Sequence, residues 1–152
     1  MEIILSIIVF LLIIFGIFEF KIHNTYLLNI PIRIHVNGSR GKSSVVRLIA
    51  AGLREGGLKT YGKTTGTSPR IIDDKGEDKY IHRLRSASIG EQISLIRYFS
   101  KFNPDALVIE CMAVNPQYQW VSEQKIVKST IGVLTNVRPD HLDEMGISIE
   151  QI

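Results

Sequence analysis

The segment that most restricts the fold is Val36-Asn37-Gly38-Ser39-Arg40-Gly41-Lys42-Ser43-Ser44. It follows a short β-branched run, residues 31–36. It opens a stretch, residues 43–55, in which Val45, Val46, Leu48, Ile49 and Leu53 form an apolar helical face that Gly56-Gly57 stops. A strand, a glycine-rich bend and a helix in that order make a phosphate-binding loop. Glycines let successive backbone N–H groups turn toward one anion, and the helix N-terminus adds about half a positive charge. Lys42 then reaches the β and γ phosphates, and the Ser43 hydroxyl binds Mg2+. The usual motif has a further glycine at the position of Val36, so this loop is a variant with Gly38 and Gly41 only. A bare Gly-Lys-Ser also occurs in ordinary surface turns; its place between strand and helix gives it weight.

The second constraint is residues 3–18, an apolar run broken only by Ser6 and Gly16. As a helix it spans roughly 24 Å at 1.5 Å per residue, and Phe20 and Ile22 extend it toward the ~30 Å of a hydrocarbon core. A cleaved leader would carry cations before the run and small residues after it, whereas Glu2 precedes and Glu19-Phe20-Lys21 follows. A core helix would show a polar face, and this run has none. Lys21, His23 and Arg33 follow the run, which places the body of the chain in the cytoplasm. The expected organisation is an anchor over 1–22, a polar linker over 23–30 and a nucleotide-binding domain over 31–152.

Downstream, strand and helix patterns alternate: strands over 58–63, 79–84, 106–112 and 130–137, helices over 89–102 and 116–125, and a loop over 64–76. The runs at 106–112 and 130–137 read as buried strands. The fold class is therefore α/β, a P-loop-type parallel sheet flanked by helices, with ligands at the carboxyl ends of its strands. The net charge of +3 comes without a basic run interleaved with aromatics, which argues against nucleic acid as a partner. Cys111 is the single cysteine, so no internal disulfide forms, and its apolar surroundings read as a small buried thiol.

Two acidic segments complete the pattern. Glu110 ends the run 106–109, and a carboxylate there is costly unless paired or bound to a cation. Asn136-Val137-Arg138-Pro139-Asp140-His141-Leu142-Asp143 follows the last strand; hard oxygen ligands with one neutral histidine suit Mg2+. Asp140 and Asp143 are expected to shape the turn and cap the next helix.

Gly38 to Ser44 resembles the nucleotide loop of Mur ligases and folylpolyglutamate synthetases, which phosphorylate a carboxylate with ATP and let an amine attack the acyl phosphate. The Asn-x-x-x-Asp-His-x-Asp pattern recurs in that family. Carried over by position, the resemblance implies ATP held by Gly38, Ser39, Arg40, Gly41, Lys42, Ser43 and Ser44. It implies Mg2+ on Ser43, Glu110 and His141, and a catalytic set of Lys42, Glu110 and His141. Gly62-Lys63-Thr64-Thr65-Gly66-Thr67, Ile89-Gly90-Glu91-Gln92 and Glu110-Cys111-Met112-Ala113-Val114-Asn115-Pro116 are similar to the capsule-type ligase family of poly-γ-glutamate synthases. That likeness covers nearly the whole chain. It implies glutamate or poly-γ-glutamate as substrate, a single-pass location in the cell membrane among lipid, and other membrane subunits of the synthase as partners. Lys63, Thr67, Arg70, Arg83 and Arg85 become candidates for substrate carboxylates, against a reading of the arginines as ordinary surface charge. Relatives of this kind continue beyond the position of Ile152 into a later metal-site lysine and a C-terminal domain, so the domain is expected to be C-terminally incomplete. The competing readings are a membrane-tethered P-loop ATPase, a non-catalytic nucleotide-binding module and an inactive remnant.

Overall fold

The computed structural model describes residues 1–66, 68–82, 88–140 and 142–145. In chain order the elements are α1 Glu2–Leu28, β1 Ile32–Asn37, α2 Lys42–Glu55, β2 Thr60–Thr64, β3 Arg70–Ile72 and β4 Asp78–Tyr80. There follow α3 Glu91–Ser100, β5 Ala106–Glu110, α4 Pro116–Val121, a π-helical segment Ser122–Val127, β6 Ile131–Leu134 and α5 Leu142–Met145.

Six strands form one sheet in the order β4-β3-β2-β5-β1-β6. β5 lies between β2 and β1, parallel to both, with Gly62 and Ile34 each opposite Val108. β6 adds in parallel to β1, and β3 and β4 extend the other edge antiparallel. All five side chains of β5 are buried, as a strand covered on both faces requires. On one face α2 packs Val46 and Ala50 against Ile34, Val36 and Val108. On the other, Leu95, Ile96 and Phe99 of α3 join Ile126, Val127, Leu107, Ile109 and Tyr61. Gly62 on β2 faces a tight wall, since a Cβ there would stand 3.1 Å from Ile72 Cδ1.

Three sequence expectations change. Residues 23–28, read as the start of a polar linker, continue α1 without a break. The reason is a stripe that the polar residues obscured: His23, Leu27 and Ile30 are buried, and Leu27 and Ile30 enter the α3-side core. The loop expected over 64–76 contains β3, which pairs with β4 around a turn where Asp73 Oδ1 accepts from the backbone of Lys75 and Glu77. β6 was expected to be buried, yet Ile131 is 50% and Leu134 64% exposed. Among the described residues β6 pairs only with β1; an apolar run reports a preference for dry surroundings, not which neighbour supplies them.

α1 is long and apolar enough to cross a membrane by length and composition, and its apolar residues 3–18 stand clear of the domain.

Candidate functional site

β1 ends at Asn37, and the chain must turn at once to start α2 at Lys42. Gly38 and Gly41 make the turn with φ of +129° and +83°. At Gly38 space is decisive as well, because a Cβ would lie 2.2 Å from Thr135 Oγ1 and 2.9 Å from the Asn136 carbonyl oxygen. The loop is pressed against the segment after β6 and gripped by it. Ser39 N–H donates to Asn136 O, and Ser39 Oγ bonds both the carbonyl and the amide of Arg138. The Asn136 carboxamide pairs with the Arg40 residue like a neighbouring strand: its Oδ1 accepts from Arg40 N at 3.2 Å and its Nδ2 donates to Arg40 O at 2.9 Å. Thr135 Oγ1 donates to the same carbonyl at 2.8 Å.

This clamp leaves the other side of the loop open. Ser39, Arg40, Gly41, Lys42, Ser43, Ser44 and Glu110 line a cleft of about 280 Å³. Gly41 caps α2 with no side chain, so the first-turn amides of α2 keep their donors for a ligand. Lys42 Nζ lies across the loop, donating to Gly38 O at 2.6 Å and Ser39 O at 3.3 Å. A cation and several amides converging on one concavity make an anion site.

Glu110 sits beside that cleft. It ends β5 opposite Val36 and is 3% exposed. Its Oε2 accepts from Ser43 Oγ and from the Thr65 amide, both at 2.7 Å. No lysine, arginine or histidine among the described residues forms an ion pair with it. A buried carboxylate whose partners are the loop's own hydroxyl and a backbone amide suits a divalent cation, which would satisfy a charge that no cation among the described residues pairs. Among the described residues no three acidic, histidine or cysteine side chains form a metal cluster. His141, the expected third ligand, lies outside the described residues, as do Thr67, Arg83 and Arg85. A larger cavity of about 540 Å³ continues from the loop past Thr65, Gly66, Cys111, Met112, Ala113 and Val114 to Asp140 and Met145.

Other expected residues fall elsewhere. Lys63 is fully buried with its Nζ 3.4 Å from Glu91 Oε1. Arg70 stands over the Tyr80 ring and donates to Ser68 Oγ. Asp140, expected to shape the turn, holds the Arg40 guanidinium at 3.0 Å. The chain's four histidines include His35, which lies on β1 and follows no ligand motif in the sequence. It is 4% exposed, with Nδ1 2.6 Å from Glu123 Oε2. Burial alone would lower its pKa, but the neighbouring Cys111 and Glu123 side chains outweigh burial and raise it to about 9. Sequence spacing gave no sign of the Asn136 grip or of the His35–Glu123 pair, since both join residues about ninety positions apart.

Comparison with known proteins places the chain in a family and its fold among solved structures. Residues 36–152 match the Mur ligase middle domain. The chain is 42% identical over 145 residues to capsule biosynthesis protein CapB of Bacillus anthracis, an alignment covering 93% of this chain and 31% of that protein. It is 42% identical over 143 residues to PGA synthase CapB of Bacillus subtilis (strain 168), covering 93% and 36%. The chain thus spans about a third of the length of these relatives. Among solved structures, E. coli FolC in complex with ADP superposes with a TM-score of 0.62 at 18% identity, over 87% of this chain and 36% of that one. An FPGS–AMPPCP–folate complex gives 0.55 at 20% identity, over 85% and 38%. At such identities the likeness to these structures is one of fold.

Proposed function

The chain belongs to the Mur ligase family through a middle domain over residues 36–152, and from that premise we propose that it is the nucleotide-binding part of an ATP-dependent acid–amino-acid ligase that builds poly-γ-glutamate. The observation that carries the reading is the buried Glu110 carboxylate, 2.7 Å from the Ser43 hydroxyl at the mouth of the phosphate loop and without an ion pair to any cation among the described residues. The 42% identity to CapB proteins, one described as a PGA synthase, directs the substrate assignment toward glutamate.

In this reading the loop amides of Gly38 to Ser44 and the Lys42 ammonium bind the triphosphate, and Lys42 leaves its carbonyl partners to follow the β and γ phosphates. Ser43 and Glu110, with His141 as the motif's third donor, are the residues that would hold Mg2+, which supplies neutralisation of phosphate charge. A glutamate carboxylate oxygen attacks the γ-phosphorus, ADP leaves, and an acyl phosphate forms. The amine of the second glutamate attacks the acyl carbon, loses a proton and expels phosphate, leaving an amide. The protein's part is positioning and charge stabilisation rather than covalent chemistry. Substrate carboxylates enter by the cavity beside Thr65, Gly66 and Met112, with Thr67, Arg83 and Arg85 as the candidates to meet them. Lys63 and Arg70 would reach substrate only by exchanging their present partners.

Residues 1–22 serve as a single-pass anchor in the cell membrane and residues 31–152 as the cytoplasmic domain, joined by the continuation of α1. Lipid surrounds the anchor, and other membrane subunits of a synthase are its partners there. The test is isotopic. With glutamate carrying 18O in its side-chain carboxylate, ATP turnover in native membranes by a full-length ligase containing this chain should place one 18O in each phosphate released. Turnover that proceeds without glutamate, or with no 18O in phosphate, would favour a membrane-tethered ATPase.

A further inference from the structure

The apolar run of α1 ends at Phe18, and the helix is fastened to the domain from the next residue. Glu19 lies 3.3 Å from Arg97 of α3. His23 Nε2 hydrogen-bonds Ile126 O at 2.7 Å. Lys128 Nζ donates to Asn24 Oδ1 at 2.8 Å and stands 4.9 Å from the centroid of the Phe20 ring. Where α1 ends, the Arg33 guanidinium ties Leu27 O, Ile30 O and Lys128 O together at 3.1, 2.6 and 3.0 Å. No flexible segment separates anchor from domain. At about 1.5 Å per residue, residues 19–24 lie roughly 2–9 Å beyond Phe18, the depth of lipid headgroups.

Helical periodicity spreads cations around that level. With about 100° between successive residues, His23 and Leu27 face the domain. Glu19 and Tyr26 flank them on the Arg97 side, where the guanidinium lies 5.4 Å from the Tyr26 ring centroid. Phe20 and Asn24 flank them on the Lys128 side, and exposed Lys21 falls on the far side. Lys125, also exposed, projects from the adjoining π-helical segment. The carboxylates nearby cancel only part of this charge: Glu19 offsets Arg97, and Glu123 is engaged with His35 and Ser129, which leaves Lys21, Lys125 and Lys128 as the net positive charge of this level.

We propose that Lys21, Arg97, Lys125 and Lys128 form a collar that binds anionic lipid headgroups and seats the domain directly on the bilayer. The proposal rests on reading α1 as membrane-spanning. Charge complementarity selects the occupant, because cytoplasm-facing leaflets are rich in anionic lipid and aromatic rings beside cations suit the interface. It also fixes the direction of the site. Arg33, near the start of β1, is on the anchor side, while the phosphate loop follows the other end of the strand. Roughly 17 Å of strand separates the two, so the loop opens away from the membrane.

The test uses the full chain in vesicles of equal phosphatidylcholine and phosphatidylglycerol, extracted as styrene–maleic acid lipid particles whose retained lipid is quantified. Each cation should favour phosphatidylglycerol about fivefold at its own position, read as an excess of phosphatidylglycerol over the bulk ratio in the retained lipid. Lys21→Gln with Lys125→Gln spares every docking bond and should lower the enrichment; adding Lys128→Gln should bring it close to the bulk ratio, because the remaining cation, Arg97, is offset by Glu19. A wild-type chain retaining lipid at the bulk ratio, or a triple variant keeping wild-type enrichment, would overturn the collar while leaving the spanning helix intact. Release of the wild type from vesicles by alkaline carbonate would overturn the spanning reading and the collar with it.

Discussion

Replacing Gly38 with alanine should break the phosphate loop in a way that Gly41→Ala does not. Both glycines hold φ values in the left-handed half of backbone space, +129° and +83°. For alanine the first conformation costs on the order of 1–3 kcal/mol, and the second, near the left-handed helical region, about 1–2 kcal/mol. The steric terms differ more sharply. A Cβ on Gly41 meets nothing within 4 Å, whereas one on Gly38 stands 2.2 Å from Thr135 Oγ1 and 2.9 Å from the Asn136 carbonyl oxygen. Thr135 can rotate away only by giving up its hydrogen bond to Arg40 O, and the Asn136 backbone can move only with the carboxamide that grips the same residue. Overpacking of this kind adds about 1–3 kcal/mol. The Gly38 variant should therefore lose about 4 kcal/mol and the Gly41 variant under half of that. Thermal unfolding in mild detergent should show a fall in Tm of about 12 °C for Gly38→Ala, at roughly 3 °C per kcal/mol for a chain of this size. Mg·ATP binding by that variant should be lost at temperatures where it remains folded. Equal Tm values for the two variants would refute the close approach of the loop to residues 135 and 136.

Lys42→Ala should leave Tm within about 2 °C of wild type while weakening ATP binding at least hundredfold by calorimetry, since Lys42 bonds only loop carbonyls until a phosphate arrives. Asn136→Ala removes both bonds to Arg40 and should cost about 1 kcal/mol. It should also weaken ATP binding with no change in lipid association; unchanged affinity would place the grip outside the site's function. His35 has a folded pKa near 9 against 6.5 in the unfolded chain, so the stability it contributes is complete below pH 6.5 and is lost as pH rises through 9. The Tm difference between wild type and His35→Gln should accordingly shrink between pH 6.5 and 9.5, and a constant difference would remove the His35–Glu123 pair as its source.

The parts legible in sequence were those encoded by neighbours in the chain. The loop from Gly38 to Ser44 declared itself by two glycines between a β-branched run and an apolar helix face, and Glu110 by a charge at the end of an apolar strand. The exposure of β6 among the described residues was hidden because it depends on which strands lie beside it, and Ile131 and Leu134 look the same either way. The continuation of α1 through residues 23–28 was hidden because His23 and Asn24 read as linker chemistry. Their partners, Ile126 O and Lys128, lie about a hundred positions away. Lys63 was a substrate candidate through the family resemblance; register on β2 turns it onto the α3 side, where Glu91 meets it.

The measurement that bears most directly on the whole account is the Mg2+ dependence of ATP binding in wild type and in Glu110→Gln, by calorimetry on the detergent-solubilised chain. Glu110→Gln keeps the shape of the side chain and its contact with Ser43 while removing the charge. Wild type should bind ATP at least tenfold more tightly with Mg2+ than with EDTA, and the variant should match the wild type in EDTA and gain little from Mg2+. An identical Mg2+ gain in both proteins would mean that Glu110 does not face the metal, and the ligase reading of this site would fail with it.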